Sequence, residues 1–138
     1  MRLTSPTVKA RIAELLAAST DCAFVRGEFA SFGSERQVAR ALQELIADGA
    51  LLRVGYGVYA RARKSSMSDK IVPDASVMQI GLMALEKLGV VADLGKEARA
   101  NRDGLSTQVP MLPIVSVGKS RVRRKIGYGR KTIVYETD

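Results

Sequence analysis

Apolar positions fall at helical spacing in the first part of the chain. Val8, Ile12, Leu15 and Leu16 share one face, while Lys9, Arg11 and Glu14 lie on others. The spacing predicts a helix opened by Ser5-Pro6, because serine caps well and proline costs nothing at the first helical position. It should fade near Ala18-Ser19. Ala23, Phe24 and Val25 form a short apolar run, expected as a small strand. Residues 26–32 then read as a short second helix with Phe29 and Phe32 inward, ended by Gly33 in the left-handed conformation that glycine takes readily.

A third helix has the clearest pattern. Ser34 and Gln37 match a capping box, in which each side chain satisfies a free N–H of the first turn. Val38, Ala41, Leu42, Leu45 and Ile46 make a buried stripe at i, i+3, i+4, i+7 and i+8. Arg36, Gln37, Arg40, Gln43 and Glu44 occupy the opposite face. Gly49 closes the helix. Residues 51–54 and 58–61 read as two strands of a hairpin, with Gly55 and Gly57 permitting a tight loop that displays Tyr56.

Residues 64–70, KSSMSDK, are polar and aperiodic and read as a linker. After Pro73, Val77, Ile80, Gly81, Ala84, Leu85 and Leu88 share a face, widened by Met78, Leu82 and Met83, so this helix must pack on something. A further short helix is expected over residues 94–101, ended by Gly104. Strands are expected over 112–117, 121–128 and 131–136, with glycine turns between them, as a small β-meander.

A helix running into a basic hairpin is the second half of a winged helix-turn-helix. The expected fold class is therefore α+β. A winged helix-turn-helix DNA-binding domain over residues 1–64 leads through a linker, 65–74, into a small helix-plus-antiparallel-β lobe with basic strands, 75–138.

Charge strengthens the nucleic-acid reading. The net charge is +8, and a basic balance favours phosphate-rich partners. It is evenly divided: residues 1–64 hold 10 Lys+Arg against 6 Asp+Glu and residues 65–138 hold 12 against 8, so each part carries +4. The absence of histidine and the single cysteine, Cys22, leave little for zinc sites or nucleophile–base pairs. No paired carboxylates, Walker pattern or dinucleotide pattern is present, so no enzyme, cofactor or metal is expected. Cys22, in an apolar context, reads as a packing residue. No apolar run is long enough to span a membrane and the N-terminus lacks a signal-peptide core, so a cytoplasmic protein is expected.

Three features could contact nucleic acid. On the third helix, Arg36 and Arg40 could bind guanine through a planar fork and Gln37 could pair with adenine. Ser34 and Arg26 would hold phosphates. The competing reading is a solvated face with pairs such as Arg40–Glu44. The hairpin offers Arg53, Tyr56, Arg61 and Arg63 to the backbone or minor groove, against an ordinary exposed hairpin. The third feature is Lys119, Arg121, Arg123, Arg124 and Lys125, with Arg130 and Lys131 behind: seven cations in 13 residues. As a strand it would place Arg121, Arg123 and Lys125 on one face and Val122, Arg124 and Ile126 on the other. It could grip phosphates, an acidic protein or RNA, or be an edge strand guarded by charge.

TVKARI near the start, then VRGEFASFGSERQVARALQELIADGALLRVGYGVYAR, resembles the N-terminal winged-helix domain of AbiEi-type antitoxins. ANRDGLSTQVP and the closing TIVYE resemble a compact branch of that group. The resemblance implies a sequence-specific binder of duplex operator DNA that represses its own operon. It also implies a nucleotidyltransferase-like toxin as partner. The implied recognition positions are Ser34, Arg36, Gln37 and Arg40, with Arg53, Tyr56 and Arg61 on the wing. The antitoxins have a longer C-terminal domain for neutralisation, and this chain has about 70 residues after the wing, so repression transfers more safely than neutralisation.

Overall fold

The computed structural model describes residues 7–96, 99–100, 113–122, 124–129 and 131–136. Its first helix, α1 (Val8–Ala18), buries Ile12 and Leu16. Thr7 caps it, accepting from the Ala10 N–H at 3.0 Å, so the cap is not the expected Ser5, which with Pro6 lies outside the described residues. Strand β1 (Ala23–Val25) follows, and then a 3-10 helix, Arg26–Phe32. Phe29 is fully buried, with Phe24 and Phe32 ring centroids 6.2 and 6.4 Å away.

Gly33 corrects one expectation. Its φ of 171° is extended backbone, not left-handed. Glycine is needed there for space: a Cβ would lie 2.8 Å from both Gln37 Oε1 and Val8 Cγ2.

Helix α2 (Glu35–Ala47) begins on the expected capping box, Ser34 with Gln37, and buries Val38, Ala41, Leu42 and Leu45. Gly49 does take the left-handed conformation, at φ +81°. The N–H groups of Gly49 and Ala50 return to Ile46 and Leu45 carbonyls at 3.0 Å, satisfying acceptors that the helix end leaves open. Strands β2 (Leu51–Gly55) and β3 (Val58–Lys64) form the antiparallel wing, with β1 on the far side of β3.

The expected linker is instead part of the sheet. Ile71–Pro73 forms β4, antiparallel to the end of β3. Ser65 N–H reaches the Lys70 carbonyl at 2.8 Å, and Lys64 pairs with Asp69 at 3.3 Å. The polar composition reflects a surface turn between paired strands rather than a tether. Helix α3 (Val77–Lys87) then starts on a second capping box, Ser76 with Gln79.

Beyond α3 lie β5 (Asp93–Leu94), β6 (Ile114–Ser116), β7 (Gly127–Tyr128), β8 (Lys131–Thr132) and β9 (Val134–Glu136). Of the helix expected over 94–101, Leu94 belongs to β5, whereas Lys96, Arg99 and Ala100 are helical. The expected meander is corrected. The sheet order is β5-β6-β9 with β6 and β9 parallel, and β7 and β8 form a separate hairpin.

The wing sheet is buried on both faces. Successive strand residues point to opposite sides. Phe24, Leu51 and Tyr59 enter one apolar cluster with Ile12, Leu42 and Leu45 from the helices. Ala23, Val25, Val58 and Ala60 enter the other, with Ile80 and Leu85 of α3 and with Val115, Ile126 and Ile133. This explains why residues 23–25 are apolar without alternation. It also means that the second half builds its core on the wing sheet. Gly81 lets Ile133 approach, since a Cβ there would lie 2.7 Å from Ile133 Cγ2. The chain is thus an α+β protein with a helix–strand–helix–wing arrangement backed by a third layer. Among the described residues no helix is long and apolar enough to cross a membrane.

Candidate nucleic-acid interface

The stripe that buries α2 leaves Arg36, Gln37 and Arg40 exposed on its other side. Arg40 pairs with Glu44 at 3.4 Å, but its side chain is 83% exposed. Such an i, i+4 pair is worth only about 0.3–0.5 kcal/mol, so Arg40 is readily released to another acceptor. Gln37 is less free. Its Oε1 accepts from the Ser34 N–H at 2.8 Å, while Ser34 Oγ accepts from the Gln37 N–H at 3.2 Å. Bidentate pairing with adenine needs both ends of the amide. The capping box therefore leaves Gln37 and Ser34 as helix-start residues first.

Arg26 connects this helix to the wing. It opens the 3-10 helix, its N–H donates to the Gly57 carbonyl at 2.9 Å, and Nη2 donates to the Glu35 carbonyl at 3.2 Å. The first turn of α2 and the wing loop are thus held by one residue. Gly57 has φ +66°, which turns the loop and leaves Tyr56 80% exposed at the tip. Arg53 is exposed on β2, with its guanidinium 6.0 Å from the Tyr56 ring centroid.

The basic segment near the C-terminus reaches the same tip. Arg124 Nη1 donates to the Tyr56 carbonyl at 2.6 Å. At Gly55 the backbones nearly touch, since a Cβ there would lie 2.5 Å from the Lys125 carbonyl oxygen. Ile126, fully buried, anchors the segment in the core. The Tyr135 hydroxyl donates to the Arg124 carbonyl from the other side. Burial pushes the Tyr135 phenol up, against the downward pull of the Arg124 cation, so it stays a donor. Arg121, Val122 and the residues 124–126 are not in a strand, which corrects the expected alternation of faces. The segment is an irregular strap lying on the wing, with Lys119, Arg121, Arg124 and Lys125 exposed. Arg123, Arg130 and the GLSTQVP stretch, residues 104–110, lie outside the described residues.

Two wing arginines are placed elsewhere. Arg61 is half-buried and points at the end of α1. Nη2 donates to the carbonyls of Leu16 and Ser19 at 2.6 and 2.5 Å, and Nε to that of Asp21 at 3.3 Å. A cation there satisfies the helix's open carbonyls and suits its negative end. Arg63 pairs with Asp74 at 3.2 Å, on the stretch of β3 that joins β4, away from the tip. Neither sits at the tip beside Tyr56.

Lys87, which the pattern of the sequence did not single out, ties α3 to the rest. Its Nζ lies 2.7 Å from Asp21, 2.8 Å from Glu28 and 2.8 Å from the Ala23 carbonyl, and 4.7 Å from the Phe24 ring centroid. Burial pulls its pKa down, but hydrogen bonds and charge from Asp21 and Glu28 outweigh this and leave it above the ordinary lysine value. Glu28 also accepts from the Val25 N–H at 2.8 Å, beside Arg26. Cys22 is half-buried against Met83, and burial raises its thiol pKa, consistent with a packing residue.

The arrangement therefore links Arg26, Arg53, Tyr56 and Arg124 around the wing loop, leaves Arg36 and Arg40 exposed on the helix whose first turn Arg26 holds, and sets Arg61 and Arg63 apart. Among the described residues no group of three or more His, Cys, Asp or Glu could hold a metal ion. No curated protein and no solved structure matches the chain. A family model does match, over residues 11–138: with nearly its whole length covered, the chain belongs to DUF6088, a family of unknown function.

Proposed function

We propose that the chain is a sequence-specific DNA-binding transcriptional regulator, an autorepressor of AbiEi antitoxin type. The observation that carries this reading is the Arg124–Tyr56 contact. It joins two basic sites that are separate in sequence into one surface running from the strap across the wing to Arg26 and the exposed face of α2. In this reading α2 enters the major groove, with Arg36 and Arg40 toward base edges. Arg26, Arg53 and the strap cations hold phosphates, and Tyr56 lies against the backbone or minor groove. A nucleotidyltransferase-like toxin is the partner implied by the AbiEi resemblance.

The test is a footprint on the protein's own promoter, with affinity measured against salt. About five phosphate contacts give a log–log slope near −4.5 on duplex DNA. Protection of a discrete site with that slope supports the reading. A flat salt response, or tighter binding to RNA than to duplex DNA, overturns it in favour of a strap that grips an acidic protein or RNA.

A further inference from the structure

We propose that Glu28 is a positioning residue for the nucleic-acid face, holding Arg26, and with it the wing loop and the first turn of α2, against α3. The proposal rests on the DNA-binding reading and names what sets that face. Helix α3 packs on the side of the wing sheet that carries Ala23, Val25, Val58 and Ala60, and α2 on the side that carries Phe24, Leu51 and Tyr59. Lys87, the last residue of α3, reaches across the β1 edge between the two. Its Nζ lies 2.8 Å from Glu28 Oε1 and 4.7 Å from the Phe24 ring centroid. The Lys87 side chain is 18% exposed, so water releases this pair less readily than the exposed Arg40–Glu44 pair.

The other carboxylate oxygen has a separate partner. Glu28 Oε2 accepts from the Val25 N–H at 2.8 Å, closing the start of the 3-10 helix on the residue before Arg26. Arg26 then donates its N–H to the Gly57 carbonyl at 2.9 Å and Nη2 to the Glu35 carbonyl at 3.2 Å. One run of polar contacts thus leads from α3 through Glu28 to the wing loop and to α2. Packing does not duplicate it. A hollow of about 270 Å³ lies between the 3-10 helix and the start of α2, lined by Gly27, Ala30, Gly33 and Val38 together with Arg26 and Glu35. Small side chains on both sides of a void make few dispersion contacts, so at this point the Arg26–Glu35 bond ties the two segments. What fixes Arg26 therefore fixes the approach of α2 to the wing loop.

The test is Glu28→Gln in the full-length protein. A carboxylate offers an acceptor to both donors, whereas an amide must turn its NH2 toward either Lys87 or the Val25 N–H. The substitution keeps size and shape and leaves every exposed cation in place. In the free protein, amide exchange at Arg26 should speed about tenfold relative to Leu42, buried in α2, which is the scale of one lost hydrogen bond. Affinity for the protein's own promoter should fall about tenfold on the same scale. That fall should be smaller in an Arg26→Ala background, where the guanidinium that Glu28 positions is gone. Lys87→Met should reproduce the faster exchange at Arg26 and the weaker binding. Exchange that speeds equally at Arg26 and Leu42 overturns the proposal, because Glu28 would then support the fold as a whole. So does an affinity loss that is the same with and without the Arg26 side chain. If the wild type binds no promoter DNA, the DNA-binding reading falls, and exchange at Arg26 still decides for or against Glu28 as the residue that holds it.

Discussion

Arg124 and Tyr56, 68 positions apart, meet where a guanidinium N–H donates to the wing-tip carbonyl at 2.6 Å. One donor is spent on the wing, and a guanidinium has five, so the remainder face outward beside an exposed tyrosine. Arg124→Ala should reduce the magnitude of the log–log salt slope on duplex DNA by about 1 and loosen the wing loop. Salt titration and amide exchange at Tyr56 and Gly57 measure the two effects. An unchanged slope would remove Arg124 from the interface.

Gly55 tests the same junction without touching a charge. A Cβ there meets the Lys125 backbone oxygen at 2.5 Å, and backbone cannot swing aside as a flexible side chain can. Gly55→Ala should cost about 1–3 kcal/mol in stability through overpacking and weaken DNA binding as the strap shifts. If affinity holds while stability falls, the strap does not act through its seat on the wing.

Arg40 is the sharpest probe of base reading. Its pair with Glu44 is exposed and weak. Arg40→Ala should cost about 1–3 kcal/mol in operator affinity and relax preference at one base position. Unchanged affinity and preference would exclude a base contact by this residue.

Arg61→Ala should behave oppositely. It strips three carbonyls at the end of α1 of a charged donor, and should lower stability by about 2–3 kcal/mol in urea melts. The DNA salt slope should not change. A stable variant with a shallower slope would return Arg61 to the interface.

Lys87 sets a pH dependence. Its pKa is raised above 10.5 by Asp21 and Glu28 against burial. The folded state then holds the proton more tightly than the unfolded state. The stabilisation is fully present below the unfolded pKa and is lost as pH rises through the folded one. The stability difference between the wild type and Lys87→Met should thus stay level through neutral pH and shrink in strongly alkaline solution, as read by urea melts at each pH. A difference that grew with pH would contradict the ion pairs.

Much of this was legible in sequence because it depends on neighbours a few residues apart. The Ser34–Gln37 box, the stripe from Val38 to Leu45, the helix end at Gly49 and the wing with Tyr56 at its tip all follow from local hydrogen bonding and helical or strand periodicity. The β4 strand was not legible, because Ile71–Pro73 is short and takes its identity from its partner on β3. The 121–126 segment misled for a related reason. Its spacing allows a strand, but Arg124 bonds to Tyr56 and Tyr135, and the segment joins strand pairing at its end, where the Ile126 carbonyl accepts from the Ile133 N–H.

Helices α1, α2 and α3, the wing, the α+β class and the exposed cations of α2 were set by propensity and periodicity within one segment and so were readable from the chain alone. The tertiary structure decided which arginines are available. Arg61 and Arg124 look alike in the chain, yet one is drawn into the carbonyls of α1 and the other onto the wing tip. A charged side chain's role depends on which acceptors the folded backbone leaves unsatisfied within its reach, and for these two the acceptors come from segments 40 to 68 residues away.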